Sequence, residues 1–323
     1  MRYREAARLA DPLSEIGCGM WGMGGWSGSD DVESGRALDR AVELGCNFFD
    51  TAWAYGQGHS ERLLGALRRR HAGANLILAS KVPPKNLQWP GKASTPADDV
   101  FPYEHVTRFT EATLANLGVE ALDLQQLHVW DDSWTDATGW RDAVDDLKRA
   151  GKIRAFGISV NRWEPENVLR ALETGSVDSV QVVFNIFDQA PEDVLFPRCQ
   201  KLGVAVIARV PFDEGSLTGA LRADSRWPEG DWRNTYFAPP HLMQTLPRVD
   251  AVAGDAESLG LPLPALALRF VLSHPAVTTT IPGMRRAAHV EANVAAAAQG
   301  PLAPDVIAHL RRHRWNRVPD DRP

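Results

Sequence analysis

Four side chains capable of acid–base chemistry lie at or near the ends of three successive apolar stretches. Asp50 ends the first stretch and Tyr55 follows five residues later, whereas Lys81 and His128 come at the ends of the next two. Burial penalises an unpaired charge, so we expect Lys81 to pair with Asp50. A phenol, whose ordinary pKa is about 10, donates a proton more readily when a neighbouring ammonium group stabilises its phenolate.

The four residues together predict a proton-donating active site. Tyr55 is the expected acid, Lys81 the group that lowers its pKa, and Asp50 the partner of Lys81. His128 is the expected hydrogen-bond donor to a substrate oxygen. Each residue also has a structural alternative, namely a turn cap, a packed aromatic ring, a solvated strand end and a buried histidine. Their occurrence at successive strand ends favours the chemical interpretation.

The apolar stretches belong to a longer pattern in which short strand-like runs alternate with helical runs. The eight strand-like runs are residues 16–20, 47–50, 76–79, 122–129, 153–156, 180–184, 204–208 and 277–281. Helical crossovers between them require parallel strands. The pattern predicts an α/β fold, a closed (β/α)8 TIM barrel formed by one domain over residues 1–323, with its chemistry at the carboxyl ends of the strands. An open doubly wound sheet is the alternative.

Composition narrows the function classes. The 323 residues carry 35 Lys and Arg against 41 Asp and Glu, a formal charge of -6, which argues against a nucleic-acid partner. No apolar run approaches the roughly 20 residues of a membrane helix, and the N-terminal residues are too charged for a signal peptide, so we expect a cytoplasmic protein. Three widely spaced cysteines predict neither disulfides nor a metal site. Oligomeric state is not predicted.

Residues 45–61, with the sequence GCNFFDTAWAYGQGHSE, resemble the signature of the aldo-keto reductases. The resemblance extends over most of the chain, through residues 79–81, 127–128, 157–159, Gln181 with Asn185, and 281–293. It implies a (β/α)8 barrel that uses NAD(P)H to reduce aldehydes and ketones. It also places the family's catalytic tetrad on the four residues already singled out, Asp50, Tyr55, Lys81 and His128.

The same resemblance assigns a set of cofactor-binding positions to strand ends and the loops after them. They are Gly19, Met20, Trp21, Asp50, Ser159, Gln181, Arg209, Pro211, Gly215, Leu217, Gly219, Gly283, Arg285 and Asn293. Ser159 and Gln181 are expected to hold the nicotinamide carboxamide. Residues 19–21 are expected near the ribose, and residues 213–219 near the pyrophosphate.

Two positions depart from the common family pattern and bear on the cofactor. Arg209 stands where many members stack a tyrosine on the nicotinamide, and its guanidinium could stack or reach a phosphate. Gly283 and Met284 stand where many members have a Lys and a Ser that grip the 2'-phosphate. Arg285 and Arg286, which open a helix where a phosphate is favoured, are the expected substitutes. We therefore expect NADPH (NADP+) as cofactor, with NADH less favoured; a solvated first turn is the alternative for this arginine pair.

Three tryptophans, Trp21, Trp53 and Trp130, follow strand-like runs and are expected to shape a substrate pocket together with residues of the long stretch 211–240. Packing in the core or in a lid is the alternative. Residues 17–22, GCGMWG, also fit the G-x-G-x-x-G string of dinucleotide-binding folds. The glycine-rich residues that follow cannot promptly begin a helix, which favours a loop after a barrel strand.

The sequence therefore predicts an NADPH-dependent reductase that converts a small-molecule aldehyde or ketone, sugar-derived ones included, to an alcohol. A glycoside hydrolase would need two opposed carboxylates, which the pairing of Asp50 with Lys81 does not provide. The other alternative is a regulatory protein that binds the cofactor with little turnover, like the channel-associated members of the family. Carbonyl turnover distinguishes it from a reductase.

Overall fold

The computed structural model describes residues 1–317 and contains ten strands. Two form an antiparallel hairpin, and the other eight form one parallel sheet whose strand order follows the chain. The hairpin consists of β1 (Tyr3–Arg4) and β2 (Leu13–Ser14), and the sheet of β3 (Cys18–Gly19), β4 (Phe48–Asp50), β5 (Ile77–Val82), β6 (Leu122–Leu127), β7 (Ile153–Ser159), β8 (Ser179–Val183), β9 (Ala205–Arg209) and β10 (Val277–Thr280).

The eight-stranded sheet closes on itself. Ile16 and Gly19 form parallel bridges with Thr280 and Gly283, which join the first strand of the sheet to the last. The predicted (β/α)8 barrel is thereby confirmed. The extension of one domain to residue 323 stays a prediction, and its last six residues lie outside the described part of the chain.

Helices connect the strands and surround the barrel. They are α1 (Asp31–Glu43), α2 (His59–Arg70), α3 (Ala97–Val100), α4 (Tyr103–Leu117), α5 (Thr138–Arg149), α6 (Leu169–Glu173), α7 (Leu195–Leu202), α8 (Trp232–Tyr236), α9 (Pro239–Ser258), α10 (Leu263–Ser273), α11 (Ala287–Ala298) and α12 (Pro304–Leu310). Within residues 1–317 no single helix is long and apolar enough to cross a membrane; α9 and α10 meet that test only as a pair bent by 89°.

Apolar side chains fill the barrel from the end opposite the strand carboxyl termini. One buried cluster contains Leu13, Phe48, Ile77, Ala79, Leu124, Ala155, Ile207 and Ile281. Leu13 belongs to the hairpin, so β2 covers this end of the barrel. Burying one such large side chain stabilises the fold by about 1.5–3 kcal/mol. Because side chains fill the interior, a binding site is expected at the carboxyl ends of the strands.

Several elements differ at their ends from the sequence prediction. Lys81 lies inside β5 rather than after it, because that strand continues to Val82. Strand β7 continues to Ser159, and the first barrel strand is limited to Cys18–Gly19, with one isolated bridge before it at Ile16. A further helix, α12, follows the one expected to be last. Each of β5 and β7 extends three residues beyond its apolar run. These added residues include polar ones, so the apolar run alone gave strand ends that were too early.

Candidate active site

An ion pair without solvent contact lies at the centre of the strand carboxyl ends. Lys81 Nζ donates to Asp50 Oδ2 at 2.5 Å and to the carbonyl oxygen of Thr51 at 2.8 Å. The other carboxylate oxygen of Asp50 accepts from Gln181 Nε2 at 2.8 Å and from Gln126 Nε2 at 3.1 Å. These contacts confirm the expected pairing of Lys81 with Asp50. The two amides supply hydrogen bonds to the carboxylate oxygen that Lys81 does not contact.

Tyr55 and His128 lie beside this pair. Lys81 Nζ is 5.2 Å from the centroid of the Tyr55 ring, and the Tyr55 and His128 rings meet edge to face with centroids 5.6 Å apart. The structure therefore brings all four predicted acid–base residues together. Their proximity meets the geometric requirement for proton transfer.

Burial dominates the pKa values of both rings. It raises the pKa of Tyr55 above its ordinary value, and Lys81 acts in the opposite direction without cancelling it. Lys81 therefore lowers the pKa of Tyr55 as expected, but the expectation that this pKa lies below its ordinary value is wrong, because burial raises it by more. Burial, with the nearby cations Lys81 and Arg209, holds the pKa of His128 well below its ordinary range. His128 is therefore neutral near pH 7 and keeps one N–H donor.

The loop after β3 packs directly on the backbone of Tyr55. A Cβ on Gly24 would lie 2.6 Å from the Tyr55 carbonyl carbon, and a Cβ on Gly56 would lie 2.4 Å from the Gly24 oxygen. Gly56 also has a φ of +68°, a conformation that favours glycine. Only glycines permit this close approach, so the loop packs on the Tyr55 backbone at Gly24.

The structure corrects one member of the expected tryptophan pocket, Trp130. Trp130 is fully buried and packs edge to face on Trp134 and Trp140, with centroids 5.9 Å and 5.2 Å away, so it belongs to the core. Trp21 is 40% exposed. Trp53 is half-buried against Phe109, at a centroid distance of 4.7 Å.

Trp89, which the sequence analysis overlooked, lies over the site. Its indole is 47% exposed and meets His128 edge to face at 5.8 Å. Asn161 holds this loop by donating to the Gly91 oxygen at 3.1 Å and accepting from the Gly91 nitrogen at 3.2 Å. The signal available in the sequence was a tryptophan followed by Pro90 and Gly91, soon after Lys81. Asn161 thus supports the loop that presents Trp89.

The positions expected at the nicotinamide lie on neighbouring strands. Ser159, the last residue of β7, is the register partner of Gln181 in β8. Arg209 ends β9, donates from Nη2 to the Val160 oxygen at 2.9 Å, and keeps a buried Nε without a partner among residues 1–317. Burial, reinforced by Arg162, lowers the pKa of Arg209 to about 10. An unused guanidinium donor here suits a polar or anionic ligand.

The segment expected at the pyrophosphate has an unusual backbone. Val210, Asp213, Glu214 and Gly215 have φ values of +57°, +46°, +53° and +100°. Left-handed conformations cost about 1–3 kcal/mol at residues other than glycine, so surrounding contacts must hold this loop. Glu214 pairs with Arg162, and Asp213 accepts hydrogen bonds from Ser216 Oγ and Tyr236 Oη, both at 2.8 Å.

Arg317, the last residue described, completes this support. Its buried guanidinium donates to Asp213 at 2.9 Å, to the Tyr236 hydroxyl at 2.7 Å and to Asp188 at 3.0 Å. Burial alone would raise the pKa of Asp213, but Arg317 and the hydrogen bonds from Ser216 and Tyr236 lower it. Sequence spacing gives no indication of a contact between residues 104 positions apart.

Glycines leave the backbone of this loop accessible. A Cβ added at Gly215, Gly219 or Gly283 would meet no atom within 4 Å, whereas one at Gly19 would meet the Ile281 oxygen at 2.6 Å. The other expected cofactor positions in these loops have buried side chains, so any contact from them would have to use the backbone; they are Met20, Pro211 and Leu217.

The two arginines expected near a 2'-phosphate are not equivalent. Arg285 is half-buried and donates from Nη1 to the Ser27 oxygen at 3.0 Å. Arg286 is exposed, occupies the N-cap position of α11 without a side-chain capping hydrogen bond, and pairs with Glu33 at 3.5 Å. Asn293 lies on α11 with its side chain largely buried. Arg285 is therefore the arginine on the inner side of this helix start.

Comparison with known proteins identifies the family. The family model described as "Aldo/keto reductase family" matches residues 15–314. The aldo-keto reductase YhdN of Bacillus subtilis is 28% identical over 301 residues, covering 90% of this chain and 87% of that one. An NADH-specific methylglyoxal reductase of Escherichia coli is 26% identical and covers 88% and 90%. An aldo-keto reductase of Klebsiella pneumoniae in complex with NADPH is 25% identical, with coverage of 97% and 95% and a TM-score of 0.71.

Proposed function

Because this chain belongs to the aldo/keto reductase family of oxidoreductases, which reduce carbonyl compounds, we propose that it uses NADPH to reduce an aldehyde or ketone to an alcohol. The observation that carries the proposal is the convergence of Tyr55, His128 and the buried pair of Lys81 with Asp50. Small carbonyl compounds, sugar-derived ones included, are the proposed substrates. Trp89, whose ring meets that of His128, would supply an apolar face to them, and the exposed Trp21 is proposed as a second one.

The residues at the barrel opening fit a nicotinamide dinucleotide. The unpartnered Nε of Arg209 and the accessible backbone at Gly215, Gly219 and Gly283 suit an anionic, extended ligand. Ser159 and Gln181 would hold the carboxamide end and Asn293 the adenine end. When bound, NADPH would supply the hydride.

The preference for NADPH rests on this chain's own Arg285. One relative is named NADH-specific and one solved neighbour holds NADPH, so family membership alone does not decide it. Arg285 uses one of its N–H groups on Ser27 and has others for a 2'-phosphate. A phosphate on this arginine, at the start of α11, would gain from charge-assisted hydrogen bonds.

The proposed proton transfer follows from the environment of each side chain. Neutral His128 donates a hydrogen bond to the substrate carbonyl oxygen. The Tyr55 hydroxyl gives its proton to that oxygen as the alcohol forms, which leaves a phenolate. Lys81 stabilises this phenolate, Asp50 holds Lys81 in place, and a proton from solvent restores the phenol.

Replacement of the phenol hydroxyl tests the proposal. Tyr55→Phe should lower kcat by roughly 10²–10⁴-fold, the usual contribution of a general acid, while the Kd for NADPH stays unchanged. Tyr103→Phe is the matched control, because that tyrosine bonds Asp146 on the outer surface. Full turnover in Tyr55→Phe would contradict the mechanism. Binding of NADPH by the wild type without turnover of any aldehyde or ketone would favour the regulatory alternative.

A further inference from the structure

Two histidines near the end of the described chain share one carboxylate of a distant helix. His309 Nε2 lies 2.8 Å from Asp255 Oδ1, and His313 Nε2 lies 2.6 Å from Asp255 Oδ2. The three possible ligand atoms all lie within 4.8 Å of one another. This cluster lies outside the predicted active site and has no part in the proposed reaction.

The local fold explains why the three side chains converge. His309 lies in α12 and His313 in the 3-10 turn that continues it, so their spacing of four places both rings on one side. Asp255 lies in the last turns of α9 and faces them. His309 is exposed and the other two residues are half-buried, so the cluster is accessible from solvent.

The residue types are those of a transition-metal site. Two imidazole nitrogens and one carboxylate oxygen are a ligand set that zinc uses in proteins, with a fourth position left for water. Imidazole also suits copper and nickel, whereas magnesium and calcium prefer oxygen ligands alone. The cysteine spacing that argues against a metal cluster says nothing about histidines.

We propose that Asp255, His309 and His313 bind one divalent transition-metal ion, with Zn²⁺ as the representative ion. Binding replaces the two hydrogen bonds from the imidazoles to the carboxylate by three bonds to the ion. Each Nε2 must be free of its proton, so the ring proton of each histidine resides on Nδ1. For each neutral ring this is a change of tautomer, in which the Nε2 proton leaves to solvent and a proton from solvent binds Nδ1, so no net proton is released.

A neighbouring arginine opposes this arrangement. The guanidinium of Arg312 contacts His309 Nδ1 and donates to it. A metal-bound His309 needs a proton on Nδ1, so Arg312 must move away when the ion binds. Arg312 is exposed, and its other hydrogen bonds among the described residues also go to His309, at 3.4 Å to the carbonyl oxygen and 3.5 Å to Nε2. Removing the guanidinium should therefore strengthen binding.

The ion would fasten the C-terminal segment to the body of the protein. His313 is followed by Trp315, whose ring stacks on His241 at 5.2 Å, and by Arg317, which supports Asp213. An ion shared between α9 and α12 would tie this segment to α9 through coordinate bonds. Because metal binds the folded chain, it should also raise the melting temperature.

Titration calorimetry with ZnCl₂ on the metal-stripped full chain tests the site, with the Co²⁺ absorption spectrum as a second readout. The wild type should bind one ion per chain. His309→Gln and His313→Gln should each weaken binding by about 10–100-fold or more. His71→Gln is the control, because His71 contacts the single carboxylate of Asp39 at 2.8 Å and should leave zinc affinity unchanged.

Arg312→Gln tests the site by a gain of zinc affinity, which a misfolded variant would not show. This variant should bind zinc more tightly, by up to about 10-fold, because the competing guanidinium is gone and the amide can accept from Nδ1–H. Failure of the wild type to bind Zn²⁺ at about 100 μM would overturn the proposal. Unchanged binding in both ligand variants would overturn it as well, since the ion would then lie elsewhere. Neither result depends on reductase activity.

Discussion

Lys81 and Asp50 form an ion pair that solvent does not reach, with Nζ 2.5 Å from Oδ2 and side-chain exposures of 0% and 2%. Taking two charges out of water is costly, and the contacts of Thr51, Gln126 and Gln181 offset that cost. Such a pair is weak evidence for stability. Its position beside Tyr55 is the feature on which the proposed proton transfer rests.

Breaking this pair on one side should destabilise the fold. Lys81→Met leaves the Asp50 carboxylate buried without its cation, and we expect the free energy of unfolding to fall by about 3–5 kcal/mol in urea titration. The double variant Asp50→Asn/Lys81→Met should be more stable than Lys81→Met alone. A loss below about 1 kcal/mol, as for an exposed pair, would contradict the burial argument.

The two arginines at the start of α11 should differ in cofactor binding. Arg285→Gln should raise the Kd for NADPH by roughly 10–100-fold, the value of a charged hydrogen bond, and leave the Kd for NADH unchanged. Arg286→Gln is the matched control, because that side chain is 56% exposed and paired with Glu33. Fluorescence titration measures both constants. Equal effects of the two variants would refute the assignment.

Arg317 should stabilise both the fold and the loop 213–219. Arg317→Gln leaves Asp188 and Asp213 buried without their cation, and we expect a loss of about 3–5 kcal/mol together with weaker NADPH binding. Arg314→Gln serves as control, since its pair with Asp193 at 2.8 Å is partly exposed and should cost less than about 1 kcal/mol. Similar losses in the two variants would show that Arg317 has no special role.

Stability should fall as the pH drops below about 6.5. Burial, with Arg311 and Arg4, lowers the pKa of His274 to about 4, and His128 is shifted in the same direction. The unfolded chain binds these protons first, so stability is full above pH 6.5 and is lost towards pH 4. Because His274 is only half-buried, solvent screening keeps its share below the roughly 3 kcal/mol that the full pKa difference would give.

Urea unfolding between pH 7.5 and pH 5 measures this loss. In His274→Asn the pH dependence should be shallower, while an amide oxygen can still accept the hydrogen bond from the Ala276 nitrogen, which is 3.1 Å long in the wild type. An unchanged slope in this variant would assign the acid sensitivity to other groups.

The barrel and its central site were readable from sequence for a physical reason. Parallel strands alternate with helices, so each short apolar run in the sequence indicates a strand. The carboxyl ends of all the strands lie on one face of the barrel. Asp50, Tyr55, Lys81 and His128 could therefore be placed together without any knowledge of their contacts. Strand ends were less accurate, because residues such as Ser80 and Ser159 pair through their backbone whatever their side chains.

Long-range packing could not be predicted in the same way. Trp130 follows a strand just as Trp53 does, yet it packs into the core because Trp134 and Trp140 surround it. Arg317 contacts Asp213, and Trp89 contacts His128, because of the conformations of loops, which the periodicity of apolar residues does not predict. The pKa of Tyr55 likewise depends on the depth of burial, which a strand pattern does not reveal.

The closure of the barrel places a constraint on how the chain is made. The first barrel strand is joined to the last, and Thr279 Oγ1 donates to the Ser14 oxygen across 265 positions of sequence. During synthesis from the N-terminus, β3 and the hairpin therefore emerge from the ribosome long before their partner exists. An open sheet edge invites pairing with other chains. Nascent chains that stop before residue 277 should thus be the ones that need a chaperone.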